Sequence, residues 1–536
     1  MQNKDRERAI VEVVSRIVNR SMEDSQLSTG TPLVQLLNDT IYQEKKRLKS
    51  RANSVTTKAR NEDRQFWDKI QKALPHANDS KLKELLHDVS KRFVSEVVGN
   101  FNPKVYETSV KVLPVGLSLL LNALSPTRII QNFPKVPSLE NNILISGQAE
   151  TLQRLAQKGT IMMVPTHLSN LDSPVIGWSI YKLGLPPFTY GAGLNLFSNP
   201  LLSFFMQNLG AYRVDRRKKA PIYKDILKEY AACCLEYGYH SLFFPGGTRS
   251  RSGMLERKLK KGLLGTAAVA YTNNLIRKKH NPKIFIVPCT LNYHLVLEAE
   301  TLVEDYLKEA GKARYIIEDD EFSDIRRILQ FVKGLGTLNS QIHVSLGQAF
   351  DPFGNRVDED GESYDNRGRH IDISRYVMRD GVPTIDNQRD REYTNELSLK
   401  IAQEFSAQNM IMVTHLVAHV CFSMLERKNP SMDLYRLLHT GGDITHIMIM
   451  EVEQEIDRVM DQLIRLREAG EIRLEPWLAG RNGTQILDRA LKFFKTYHTK
   501  NALERRGDRI VAGDMNLLYY YRNRLVGYVI DGHKVR

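Results

Sequence analysis

From about residue 141 to residue 350, short apolar runs of β type alternate with helical stretches. That alternation restricts the fold more than any other feature of the chain. Candidate strands fall at residues 143–146, 160–164, 188–190, 241–244, 284–287 and 342–346. Helical segments at 149–157, 220–236 and 263–273 lie between several of them. Such a rhythm builds an α/β layer, with its chemistry on loops at strand ends.

The flanks have a different texture. Leu82, Leu85, Leu86, Val89, Phe93 and Val97 recur at steps of three and four, the stripe of a helix that buries one face. Pro126, Pro134 and Pro137 interrupt that pattern. Residues 351–391 are polar and rich in Asp, Arg, Gly and Asn; Asp358, Asp360 and Glu362 lack the ladder of a calcium-binding loop. Helical periodicity then returns, with Ile449, Val452, Ile456, Val459, Leu463 and Leu466 on one face. At 536 residues the chain is too long for one ordinary core. The expected organisation is a helical N-terminal region (1–140), an α/β domain (141–350), a polar excursion (351–391) and a helical C-terminal region (392–536).

Lys and Arg outnumber Asp and Glu by 76 to 62, a net charge of +14. That balance favours anionic partners: phosphorylated substrates, acidic proteins, anionic lipid or nucleic acid. No aromatic stacking motif or recognisable binding module points to nucleic acid. Cys233, Cys234, Cys289 and Cys421 lack zinc-site spacing and read as buried thiols in a reducing compartment. The polar N-terminus, Met-Gln-Asn-Lys-Asp-Arg-Glu-Arg, is no secretory signal. No apolar run reaches the roughly 18 residues of a membrane span. The best stretch, residues 112–124, is broken by Pro114, Gly116 and Asn122. It suits either a buried helix or a membrane interface, with Lys104 and Lys111 near the headgroups.

Three motifs in the α/β region carry the chemistry. His167-Leu-Ser-Asn-Leu-Asp172 follows the buried run Thr160-Ile-Met-Met-Val-Pro165. A gap of five is wrong for one helix face. Across a strand–loop–helix corner, with Ser169 capping the helix, Asp172 turns back toward His167. A carboxylate on one imidazole nitrogen leaves the other free to accept a proton, which is what a general base requires. Gly210-Ala-Tyr-Arg-Val-Asp-Arg216 leads into a charged run, Asp215 to Lys219, from which Arg216 is the candidate phosphate ligand. Phe244-Pro-Gly-Gly-Thr-Arg249 continues to Arg251 and Ser252-Gly253. Gly246 and Gly247 allow backbone N–H groups to converge on an anion, Thr248 adds a hydroxyl, and Arg249 and Arg251 add planar donors. His294 and Glu298 are four apart but lack a third ligand, so no metal is expected.

In this order the motifs resemble the four acyltransferase blocks of the glycerolipid acyltransferases. The likeness is greatest to the glycerol-3-phosphate and dihydroxyacetone-phosphate acyltransferase branch. Val164–Asp172 is similar to the His-x4-Asp block, residues 210–216 to the second, 244–253 to the third, and Val287-Pro288 with Tyr293 and Glu298 to the fourth. Ala192-Gly-Leu-Asn-Leu196 and Leu517-Leu-Tyr-Tyr-Tyr-Arg-Asn523 resemble further signatures of that branch. The resemblance implies a central mixed sheet flanked by helices. It makes His167 the base that deprotonates an acceptor hydroxyl and Asp172 its orienting acid, and puts the acceptor phosphate on Arg216, Gly247, Thr248, Arg249 and Arg251.

The activity so implied is O-acyl transfer to glycerol 3-phosphate or a similar phosphorylated acceptor, in phospholipid biosynthesis. The donor would be acyl-CoA or acyl-carrier protein, with no cofactor. The enzyme would sit peripherally on the cytoplasmic side of an anionic membrane. Lys258, Lys260, Lys261, Arg277, Lys278 and Lys279 are candidate surface contacts. Alternatives are a lysophosphatidate-type acyltransferase and a catalytically inactive lipid-binding or assembly protein. Two positions depart from the family: Thr166 replaces the common Asn, and Gly246 replaces the usual Glu. Loss of that carboxylate implies a changed acceptor, a substitute such as Asp215, or reduced activity.

Overall fold

The computed structural model describes residues 3–27, 30–49, 57–111, 139–193, 203–204, 207–310, 340–439, 446–495, 498, 500–530 and 532–535. The apolar stretch 112–124, the three prolines beyond it and residues 194–196 lie outside them.

The described residues open with helices α1 (Asn3–Gln26), α2 (Leu33–Lys49), α3 (Thr57–Ala73) and α4 (Asp79–Val97). The stripe read in α4 is its buried face, and Asn78 caps the helix by accepting from the Lys81 N–H at 2.9 Å. That face packs with α1 against the α/β layer, in a cluster that includes Tyr212, Ile226, Tyr230 and Cys233.

Among the described residues the central sheet has seven strands: β1 (Ile143–Gly147), β2 (Thr160–Pro165), β3 (Thr189–Gly193), β4 (Ala211–Val214), β5 (Ser241–Leu242), β6 (Ile284–Tyr293) and β7 (Ile342–Leu346). Their spatial order is β1-β7-β6-β2-β5-β3-β4. From β6 to β4 all neighbours are parallel. β7 runs antiparallel to β6 and parallel to β1, which makes the sheet mixed, as expected. Helices α5 (Ala149–Lys158), α6 (Asp172–Lys182), α7 (Pro221–Glu236), α8 (Thr266–Ile276) and α9 (Ala299–Ala310) connect the strands. β2 is buried at every residue, as befits a parallel strand covered on both faces.

Three local readings need correction. β4 was not expected, because four residues inside a charged motif carry too little apolar pattern. β6 runs past Val287 to Tyr293: Thr290 and Asn292 are buried, and Asn292 finds partners in Asn409 (2.8 Å) and the Met410 N–H (3.2 Å). The helix expected at 263–273 is split at Gly265 into a short turn, Lys261–Leu264, and α8.

Residues 351–386 form short antiparallel pairs and turns, in which acids are consumed locally. Asp358, for example, accepts the N–H groups of Asp360 and Glu362, each at 2.9 Å. Beyond them come α10 (Asn387–Ala407), α11 (Val413–Lys428), α12 (Ile449–Glu468), α13 (Gly483–Phe494) and α14 (Met515–Arg522). The α11 and α14 side chains join the same apolar cluster as β6 and β7, so this flank shares the sheet's core. All four cysteines are buried and unpaired.

Candidate active site

Parallel strands bring their carboxyl ends to one edge. The His loop follows β2, Arg216 follows β4, the arginine loop follows β5, and Glu298 follows β6. Topology therefore gathers four segments spread over some 130 residues.

At the β2–α6 corner the His167 Nδ1–H donates to Asp172 Oδ2 at 2.7 Å. The same oxygen accepts the N–H groups of Leu168 (2.6 Å) and Ser169 (3.0 Å), while Oδ1 accepts from the Tyr293 hydroxyl at 2.6 Å. Four donors hold a fully buried carboxylate at the first residue of α6, where the helix dipole also favours negative charge. Burial, followed by the Asp172 charge, pushes the Tyr293 hydroxyl well above its ordinary range, so it stays a donor. The imidazole stacks on Phe244, with ring centroids 4.1 Å apart, and its side chain remains 19% exposed. With Nδ1 committed, Nε2 is the nitrogen presented to a substrate.

Ser169 does not cap α6 as expected; the N-cap position is Leu171. The Ser169 hydroxyl instead accepts from the Leu171 N–H at 3.1 Å and donates to Glu298 at 2.9 Å. Glu298 also accepts the Asn170 N–H at 2.9 Å and pairs with Arg249 at 3.3 Å. Burial raises the Glu298 carboxyl, and Arg249 opposes that shift. Glu298 thus joins the His loop to the arginine loop, and the Ser250 N–H donates to the His167 carbonyl at 2.7 Å. Thr166 is buried and accepts the Leu291 N–H at 2.9 Å, tying β2 to β6.

The arginine loop turns on Gly247 (φ +79°) and Gly253 (φ +80°), in the left-handed region. A Cβ on Gly253 would lie 2.2 Å from the Tyr520 carbonyl oxygen, so the loop also needs glycine to pass α14. Arg216 is exposed and donates to the Gly247 carbonyl, which brings the second block onto the third. Thr248 is exposed, and Arg249 and Arg251 are partly so.

The run from Asp215 to Lys219 is not a uniformly solvated face. Asp215 accepts from the Arg217 N–H and Nε, each at 3.0 Å; burial opposes, but Arg217 holds its carboxyl below the usual range. Asp215 is therefore committed to Arg217, and the carboxylate beside Gly246 is Glu256. Lys218 is buried between Glu96 (2.7 Å) and Glu44 (3.1 Å), below the Phe93 ring. Among the surface cations, Arg277 turns inward to Glu12 and Glu236. Lys260 lies against the Gly247 turn: a Cβ there would meet its Nζ at 2.6 Å. His294 pairs with Glu475 at 3.0 Å and stacks on Phe493, away from Glu298's partners.

Sequence reasoning overlooked the roles of Phe244, Glu256 and Lys260. Phe244 and Lys260 stand within or beside a recognised block, and their own positions offered no separate signal.

Residues 147–292 match the acyltransferase family. The chain is similar to the glycerol-3-phosphate acyltransferase of Histophilus somni (strain 129Pt), 27% identical over 262 residues, which are 48% of this chain and 29% of that protein. The enzyme of the same name from Haemophilus ducreyi (strain 35000HP / ATCC 700724) is 26% identical over 339 residues, 60% of this chain and 37% of the relative. That of Pseudomonas syringae pv. tomato (strain ATCC BAA-871 / DC3000) is 24% identical over 382 residues, 70% and 39%. The chain thus spans well under half the length of the curated relatives it matches.

Proposed function

We propose that this chain is an O-acyltransferase moving a fatty-acyl group from a thioester to a hydroxyl of glycerol 3-phosphate or a similar phosphorylated acceptor, in phospholipid synthesis. The observation that carries the reading is the His167–Asp172 pair, with four donors on the acid and the imidazole stacked at the mouth of the arginine loop. His167 Nε2 takes the proton from the acceptor hydroxyl, and Asp172 stabilises the imidazolium. The acceptor oxygen attacks the thioester carbonyl carbon. As the tetrahedral intermediate collapses, the C–S bond breaks and the departing thiolate recovers the proton from His167. Arg216, Arg249, Arg251, Thr248 and the Gly247 backbone bind the acceptor phosphate.

The thioester is acyl-CoA or acyl-carrier protein, and the reaction needs no cofactor. The +14 charge supports peripheral attachment to an anionic membrane surface. Among the described residues no helix is long and apolar enough to cross a membrane.

Purified protein given labelled acyl thioester and glycerol 3-phosphate should form lysophosphatidate. His167→Ala should lower turnover by roughly 10²–10⁴, the usual worth of a general base. Acylation of a lysophospholipid instead would move the acceptor assignment. Liposome binding without acylation of any acceptor would replace the enzyme with a lipid-binding scaffold.

A further inference from the structure

Gly246 stands where the similar family carries glutamate, and the space its side chain would enter is already taken. A Cβ on Gly246 would lie 2.9 Å from both Cγ and Oε1 of Glu256. Glu256 Oε1 accepts the main-chain N–H of His167 itself, at 2.8 Å. Its Oε2 is closed to solvent and has no hydrogen-bond partner. A buried carboxylate oxygen without a donor is costly and rare in a folded protein, and its persistence calls for a reason. An opposing charge that acts on it is Arg524, buried just beyond α14, whose Nε and Nη1 also lack partners. The two groups act on each other electrostatically without forming an ion pair.

We propose that Glu256 is the acceptor-binding carboxylate of this site. It occupies the volume that a side chain at position 246 would fill, and its Oε2, covered in this structure, is uncovered by the arriving acceptor and accepts a hydrogen bond from one of its hydroxyls. The assignment rests on the acyl-transfer reading above. Through Oε1 the same side chain fixes the loop that carries the base, so acceptor and imidazole are referred to one group. Burial raises the Glu256 carboxyl to about 7, with the His167 N–H and Arg524 opposing. A hydroxyl donor arriving at Oε2 would favour its ionised form.

The test is a pair of substitutions at two positions ten residues apart. Glu256→Gln keeps an oxygen for the His167 N–H but puts a donor where Oε2 stood. It should raise the glycerol 3-phosphate KM at least tenfold, leave the acyl-donor KM unchanged, and raise the melting temperature at pH 8. A purely structural glutamate would show a lower melting temperature and an unmoved acceptor KM, and that result would overturn the proposal. Gly246→Glu alone should lose both stability and activity through collision with Glu256. Combined with Glu256→Ala it should recover, exceeding either single variant in acceptor kcat/KM. A double variant no better than Glu256→Ala would also overturn the proposal.

If the wild type acylates no acceptor, the acyl-transfer reading fails on its own. Calorimetry with glycerol 3-phosphate then decides Glu256: weaker binding to Glu256→Gln supports it, and equal or absent binding refutes it.

Discussion

The two helical flanks hold the same sheet by different physics. On the N-terminal side an apolar cluster is reinforced by ion pairs: Arg16 of α1 meets Glu229 (2.8 Å) and Glu236 (2.5 Å) of α7, and Lys218 meets Glu44 of α2 and Glu96 of α4. On the C-terminal side the joint is mainly apolar packing with scattered hydrogen bonds. Among the described residues its charged contacts to the sheet are few, such as His294–Glu475 (3.0 Å) and Arg524 to the Leu291 carbonyl (3.2 Å). Tyr521 accepts the Val296 N–H at 3.1 Å, and the Asn523 amide donates to the Ser252 carbonyl at 2.8 Å. The N-terminal flank reaches the second block at Lys218, two residues beyond Arg216, and at Gly210, whose N–H donates to the Asn100 carbonyl at 2.8 Å. The C-terminal flank touches the arginine loop itself and sets Arg524 where its charge acts on Glu256. One flank is thus a brace and the other part of the pocket wall.

The largest expected effect lies on the brace. Lys218→Met keeps the stem against Phe93 but removes the cation that Glu44 and Glu96 share, leaving the fully buried Glu44 with Arg47 (2.7 Å) and Glu96 with Arg92 (3.4 Å). Removing one partner of a buried ion pair costs more than the pair is worth, and about 3 kcal/mol of stability should be lost. Urea titration measures it. Because Arg216 keeps its contact with the Gly247 carbonyl, the acceptor KM should change less than threefold. A large KM change with little loss of stability would reverse the contrast between the flanks.

How far this division could be read beforehand depended on range. Six of the sheet's seven strands were legible because they are apolar runs of local origin, while β4, inside a charged motif, was not. The geometry of His167 and Asp172 was also legible, since one strand–helix corner contains both. Lys218 was not: one lysine in a charged run carries no sign of the glutamates that fold over it from more than 100 residues away. Glu256 was hidden for a like reason. It flanks Lys258 and Lys260 in a polar stretch, and only the closure of the loop over Gly246 sets it beside His167. The resemblance showed that a carboxylate was missing at 246, while its own sequence suggested Asp215, the nearer acid to an arginine block.

The brace and the pocket should also respond to pH in opposite directions. On the ionic side Glu12 is held at about 2: burial opposes, but the Tyr237 hydroxyl, Arg277 and Arg16 prevail. A lowered carboxyl supplies stability above its ordinary value near 4.5 that is lost as pH falls toward 2. On the site side Glu256 is raised to about 7, chiefly by burial. Between about pH 4.5 and 7 the folded state therefore keeps a proton that the unfolded chain releases, and stability falls as pH rises through that window. Denaturant midpoints should show Glu256→Gln more stable than wild type at pH 8 by about 2 kcal/mol and indistinguishable near pH 4.5. Glu12→Gln should instead lose stability at pH 8 and converge with wild type near pH 2. Parallel pH profiles for the two variants would erase the electrostatic distinction.

The smallest effect should be the most specific. Asn523→Ala removes one neutral hydrogen bond, from its amide to the Ser252 carbonyl, worth about 1 kcal/mol. In stability that is less than the Lys218 change. Its position differs, however: Ser252 follows Arg251 directly and closes the loop that carries Arg249. Freed at that point, the loop holds its guanidinium groups less firmly, and glycerol 3-phosphate kcat/KM should fall about fivefold, mainly through KM. Weakness in the fold and weakness in the site would then be uncoupled, with Lys218→Met far less stable yet nearly normal in KM. Were Asn523→Ala to lose stability while its acceptor KM held, the C-terminal flank would be a second brace, and the pocket would be built by the strand-end loops alone.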